Sequence, residues 1–342
     1  MADDATTSGI GGETTAVQHG PNGADPAVAQ SPTTQAPEMA LRRAGPRRFH
    51  AAMLRKRKVA VFLITAASLL SVVIYFAFAS RPARQEWLSA GFGHSCGLKQ
   101  NGAIVCWGDN FDGKASPPKG AFLSVSAGGG HSCAIKRNGR VVCWGNNFND
   151  RLAPPDETFV SISAGAGHTC GIKTDGTVAC WGDNNAGQSL PPPGIFLSVS
   201  AGGGHACAVK SDGAIACWGD NSAAQSTPPT GTFLSVSAGF FHTCALRVDH
   251  SIACWGFNNA GESTPPKGAF ASVSAGGVHS CAVKIDGTLV CWGLDSDGEA
   301  TPPTGRFSSV SAGVVHTCGR KTSGDVICWG ANSAGEATPP TM

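Results

Sequence analysis

Seven histidines in this 342-residue chain could do chemistry, and each keeps the same company. His94, His131, His168, His205, His242, His279 and His316 stand two residues before Cys96, Cys133, Cys170, Cys207, Cys244, Cys281 and Cys318. Ten residues beyond each of these comes a second cysteine, at Cys106, Cys143, Cys180, Cys217, Cys254, Cys291 and Cys328, followed at once by tryptophan. Imidazole beside thiol is what a zinc site or an activated cysteine nucleophile uses. The repetition argues against both. A catalytic centre is one asymmetric set of unlike groups, whereas this set recurs every 37 residues and uses all 14 cysteines. Tetrahedral zinc sites also commonly draw on more closely spaced cysteine pairs. The histidines therefore read as groups that satisfy a turn or strand end in every unit. The tryptophans read as packing residues, and no catalytic, cofactor or metal residue is expected.

The elements around the cysteines follow from spacing. In His131 to Gly145, two short apolar runs flank Arg137, Asn138 and Gly139, and the midpoint of Cys133 and Cys143 falls on Asn138. Opposed cysteines require an odd loop, and three-residue loops favour a type I turn followed by a left-handed residue, the place held by Gly139. Other units put Gly102, Gly176, Gly213, Gly287 and Gly324 there, and the fifth has His250. Counting outward from Lys136 and Arg140 puts the cysteines on a non-hydrogen-bonded pair, with α-carbons about 4.5 Å apart, at the short end of disulfide reach. Seven disulfides are predicted, one per unit: 96 to 106, 133 to 143, 170 to 180, 207 to 217, 244 to 254, 281 to 291 and 318 to 328. Each would contribute about 2 to 3 kcal/mol on a chain-entropy estimate.

A third run precedes each hairpin. In Phe122 to Gly128, alternation places Leu123, Val125 and Ala127 on one face of a strand. Gly and Pro density excludes helix. Three or four short antiparallel strands per unit is the size of a propeller blade. From Gln85 to the C-terminus, seven units of 37 fit to within one residue, so a closed seven-bladed β-propeller over residues 85–342 is expected. Its N-terminal strand, 85–89, should meet the end of the last unit. Ser132 and Trp144 oppose each other in the hairpin register, which leaves the indole free to pack on the next blade. Asn110, Asn147, Asn184, Asn221, Asn258 and Asn332, with Asp295 in the sixth unit, open the long loops and suit side-chain-capped turns. The pattern S-A-G-x-x-H-x-C-A-x-K-x-D-G-x-x-x-C-W-G-x-N-x-x-G-Q, nearly complete in Ser200 to Gln225, resembles the regulator-of-chromosome-condensation (RCC1-like) repeats in their bacterial, cysteine-containing form. That resemblance implies the seven-bladed propeller. It does not imply one activity, since the family spans an exchange factor, a secreted inhibitor and receptor ectodomains.

The first 84 residues differ in composition. Residues 1–41 have acids but no Lys or Arg and little to bury, the signature of a disordered tail. Residues 42–58 carry eight basic residues and no acid, and 59–80 form a charge-free apolar run, long enough to be a transmembrane helix. The basic flank makes the tail cytoplasmic and exports the repeats, with 81–84 as linker. Cleavage near Ala79, giving a secreted protein, is the alternative. Either way the cysteines meet an oxidising compartment. Residues 85–342 carry 15 Lys and Arg against 18 Asp and Glu, so nucleic acid is not an expected partner.

If the repeated residues build the scaffold, function lies where the copies differ. Before the histidine, units two to four have only Gly and Ala, but the others bring Phe92, Phe240 with Phe241, Val278, and Val314 with Val315. After Trp-Gly, units one to four carry Asp109, Asn146, Asp183 and Asp220, while five to seven carry Phe257, Leu294 and Ala331. In a closed ring units five, six, seven and one adjoin. An apolar patch there is expected to dock a protein partner, unless these side chains instead fill the channel or the gaps between blades. Protein recognition without catalysis leads. A glycan or cell-wall lectin is second, and an enzyme with its site in the channel third.

Overall fold

The computed structural model describes residues 88–342, so the tail, the basic segment, the apolar run and the linker lie outside the described residues. Among the described residues no helix is long and apolar enough to cross a membrane. The described residues form seven separate sheets, each of three antiparallel strands in sequence order. The first blade comprises β1 (Leu88–Ala90), β2 (His94–Leu98) and β3 (Ile104–Gly108), and the second β4 (Phe122–Ala127), β5 (His131–Lys136) and β6 (Val141–Gly145). The other blades repeat the second. Strand β1 pairs with β2 in its own blade, so among the described residues no strand is lent across the seam. Leu88 reaches the last unit by packing, in a cluster with Cys318, Cys328 and Met342.

The first strand of each blade is innermost and lies along the ring axis. Its start lies beside the hairpin turn of the preceding blade, through bonds such as Phe159 N–H to Gly139 O at 2.8 Å. These turns and strand starts make one face of the ring, the turn face. The opposite face is built from the loop before each histidine and the start of the long loop, joined by bonds such as Asn146 N–H to Gly130 O at 2.9 Å. We call it the loop face.

The alternation expected in the inner strand is broken by a bulge. Phe122 pairs with Lys136 but Ser124 with Ile135, so Leu123 is the extra residue. It is therefore exposed while Phe122, Val125 and Ala127 are buried, which corrects the single-face reading of Leu123. A bulge admits one unpaired residue and shifts the register beyond it.

Cys133 pairs with Cys143 and Ser132 with Trp144, as the loop count requires. All seven disulfides form, with α-carbons 4.0–4.1 Å apart. In the fifth blade His250 takes the left-handed turn position with φ +65°. The core lies between blades. Phe122 and Trp144 of the second blade pack on Cys96, Cys106, Leu98 and Ile104 of the first. The indole thus covers the preceding blade, not the next, because its N–H must reach a carbonyl on that blade's loop.

Candidate functional site

Four rings of polar contacts close the propeller, and the histidines belong to them. Around the axis, the backbone N–H after each Ala-Gly pair donates to a glycine carbonyl of the next blade at 3.0–3.1 Å, from Phe92 to Gly128 round to Val314 and Gly91. A second ring joins the Ala127-type N–H to the Ser89-type hydroxyl of the blade before at 2.9–3.0 Å, closing at Ala90 and Ser311. A third is the indole N–H, which donates to the long-loop carbonyl of the preceding blade, as in Trp144 to Lys114 O at 2.9 Å and, at the seam, Trp107 to Glu336 O at 2.9 Å.

The fourth ring is the histidines. In six of the seven, Nε2 meets a hydroxyl on the next blade, as in His94 with Ser132 at 2.8 Å, His131 with Thr169 at 2.7 Å and His316 with Ser95 at 2.7 Å. The hydroxyls of Ser132, Thr243, Ser280 and Thr317 donate onward to the same carbonyls that take the indoles, at 3.1–3.2 Å. A hydroxyl that donates its one proton must accept from the imidazole, so Nε2 carries the hydrogen. The side chains are fully or almost fully buried, and desolvation lowers His94, His168, His205, His279 and His316 to about 4, and His131 and His242 to about 3. Buried, neutral and bonded to hydroxyls that are themselves buried, those six imidazoles link each blade to the next.

One link is missing. Ala206 occupies the place of the hydroxyl residue facing His168, whose Nε2 and Nδ1 are both buried without a hydrogen-bond partner. Ala206→Ser should restore the bond and add about 1 kcal/mol. Calorimetry should then show a melting temperature higher by about 2–4 °C. An unchanged value would mean that the added hydroxyl does not reach His168.

The residues at which the copies differ fall into two groups. Phe92, Phe240 and Val314 line the loop-face end of an axial cavity of about 340 Å³, otherwise walled by alanine and glycine. The channel-filling alternative therefore describes these three. Phe241, Phe257, Val278, Leu294 and Val315 lie further out. Phe241 stacks between Phe240 and Phe257, with ring centroids 4.7 and 6.1 Å away. Backbone bonds from Phe257 N–H to Phe241 O, Leu294 to Val278 and Ala331 to Val315, at 2.9–3.0 Å, pair the two loops in blades five to seven. Phe92, Phe241 and Leu294 are exposed by 40–50 %.

A third position explains why these pairs change together. Gln188 and Gln225 are buried, accept a backbone N–H two residues back through Oε1, and donate through Nε2 to Asp183 and Asp220 at 2.7–2.8 Å. In the first blade Lys114 fills that place and pairs with Asp109 at 2.6 Å. In blades five to seven the place is taken by Glu262, Glu299 and Glu336, which keep the backbone bond at 2.7–2.9 Å. A carboxylate has nothing to donate to an aspartate. The partner five residues earlier is then Phe257, Leu294 or Ala331, and the apolar arc follows.

The sequence reading passed over this linked position, although it differs between units as visibly as the loops do. It also passed over Phe111 and Phe148, 77 % and 66 % exposed on the loop face of the first two blades. Both stand where other units have Asn or Ser. The Asn caps are as expected: Ala115 N–H bonds Asn110 Oδ1 at 2.9 Å, and the other units follow. Among the described residues no group of three or more His, Cys, Asp or Glu gathers closely enough to hold a metal ion.

The model of the regulator of chromosome condensation (RCC1) repeat matches all seven units, at 88–114, 122–150, 159–188, 196–225, 233–262, 270–299 and 307–336. The chain belongs to the RCC1 repeat family. No protein of curated function matches it. Its RCC1 repeats are similar in structure to the ectodomain of the receptor kinase CR4 from Physcomitrella patens, at 27% identity and TM-score 0.64, covering 72% of this chain and 73% of that one. They are also similar to the ectodomain of the receptor kinase ACR4 from Arabidopsis thaliana, at 28% identity and TM-score 0.61, covering 72% and 97%. Prp20p from Saccharomyces cerevisiae, described with its binding to Gsp1p and histones, shares the fold at 18% identity and TM-score 0.57, over 66% and 80%.

Proposed function

We propose that this RCC1-repeat propeller is the extracytoplasmic part of a single-pass membrane protein and binds a protein partner, without catalysis, through the apolar arc of its loop face. The observation that carries the reading is the linked change in blades five to seven, where buried glutamate replaces glutamine and an apolar pair replaces glycine with aspartate. Scaffold alone does not require it, since blades one to four make the same backbone bonds at the axis and between the two loops with Gly and Asp or Asn at those places. The receptor-kinase ectodomains among the similar structures support an exported propeller. The apolar run 59–80 and the basic segment before it supply such an anchor.

Phe241→Asp combined with Leu294→Asp puts two charges on the exposed part of the arc. Cross-linking on intact cells, followed by identification of the captured protein, should show at least about a tenfold loss of the species that wild type captures, as expected for central interface residues. The melting temperature should stay within about 2 °C, because both side chains are partly solvated. Undiminished capture of the same partner would remove the arc as its site. A large fall in melting temperature would assign both residues to the scaffold.

A further inference from the structure

The two faces of the ring carry opposite charge. Among residues 88–342 only Lys114 and Arg151 of the lysines and arginines lie on the loop face. The remaining thirteen lie in the hairpin turns, the strand ends beside them or the segments entering the inner strands, with seven acids, a formal net of +6. The loop-face end holds ten acids against its two bases, a formal net of −8, and three of the ten, Glu262, Glu299 and Glu336, are buried. Two of the turn-face acids are already engaged, Asp156 with Arg140 and Glu157 with Lys173. Large apolar side chains also stand exposed on the turn face, Leu123, Val160, Leu197 and Leu234 in the bulges and Val248 and Ile285 at turn tips, whereas outside the arc the loop face exposes Phe111 and Phe148 on its first two blades. Most units hold a polar residue at the turn-tip position, so these two are further places where the copies differ.

The chain enters the ring from this same face. Leu88 is the counterpart of Val125 and opens the first inner strand, which runs from the turn face toward the loop face. The charge-free run ends at Ser80, and eight residues of extended chain span at most about 29 Å. If residues 59–80 span the bilayer, a tether of that length lets the turn face reach it.

We propose that the turn face rests on an anionic lipid surface, with its lysines and arginines at the headgroups and Val248 and Ile285 in the interface. This rests on the membrane-anchored reading above. Basic residues beside exposed aliphatic ones are the combination that interfacial binding uses, through charge attraction and apolar burial together. The arrangement fixes the orientation of the ring, so that a partner meets the loop face first.

The test uses the full chain reconstituted in vesicles of phosphatidylcholine, with or without phosphatidylglycerol, carrying a photo-reactive amino acid in place of Ile285 or, separately, Leu294. With the anionic lipid, the label at 285 should give about tenfold more lipid adducts than the label at 294, and high salt should lower that yield. Alkaline carbonate extraction of the same vesicles reports on the anchor separately. A chain retained by the membrane but labelling lipid equally at both positions, or at neither, overturns the proposal and leaves anchoring intact. Adducts at 285 to a second copy of the protein in place of lipid assign the face to self-association and also overturn it. A chain released by carbonate overturns the anchored reading and this orientation with it.

Discussion

Resistance to urea is expected to fall steeply as the pH drops from about 6.5, the ordinary histidine value, toward about 4. Desolvation is the main cause in all seven rings, with neighbouring Lys114 for His94 and Arg151 for His131 adding repulsion. Between the unfolded value and the folded values of about 3 to 4, the unfolded chain binds protons on these imidazoles and the folded chain does not. Their contribution is therefore complete above about 6.5 and is lost as the pH falls toward the folded values. Each contributes a slope of about 1.4 kcal/mol per pH unit inside that window. Seven acting together would exceed the ~5–15 kcal/mol that holds a typical domain. The ring should thus open before the folded values are reached. Aspartates act lower. Asp109, held down by its bond to Lys114, and Asp220, held down by the Ser222 backbone, contribute stability that is present above about 3.8 and lost below it. Urea midpoints measured across the window with the disulfides intact check this. A midpoint level from about pH 7 to about 4.5 would contradict buried neutral imidazoles.

The second large effect is expected at the axis. A Cβ on Gly202 would lie 2.3 Å from the carbonyl oxygen of Gly239 and 2.7 Å from His205 Cε1, and that carbonyl is the acceptor for Gly203 N–H. Backbone cannot retreat there without opening the ring. Gly202→Ala should cost at least about 2 kcal/mol, as overpacking plus a lengthened ring bond. Gly187→Ala is the contrasting substitution. Its site is left-handed, with φ +82° and nothing within 4 Å, and Ala224 already holds the equivalent place at φ +63°. It should cost about 1 kcal/mol or less. Chemical denaturation of the two variants side by side measures the difference, and equal losses would mean that blade-to-blade approach at the axis does not limit the fold.

Much of the scaffold was legible because it is local and repeated. The cysteine pairing follows from three residues of turn between Lys136 and Arg140, a distance that backbone geometry sets without help from the rest of the molecule. The Asn caps act within six residues and were legible for the same reason. Leu123 was misread because a bulge looks like ordinary alternation until the partner strand is known. The direction of Trp144 was misread because its carbonyl acceptor, Lys114 O, belongs to another unit. The loop-face differences were visible, but their cause was not. Gln225 and Glu262 look like interchangeable polar residues until their side chains are seen buried, one donating to Asp220 and the other unable to donate to anything.

By itself the sequence determined the number of blades, the strands and the disulfides of each, because a period of 37 and a ten-residue cysteine spacing leave few ways to pair short strands. Only the tertiary structure decided what lies between blades. The four closing rings, the gap at Ala206, the division of Phe240 from Phe241 and the opposite charge of the two faces join residues about one repeat apart or across the seam. Those distances come from the curvature of the closed ring, to which all seven units contribute.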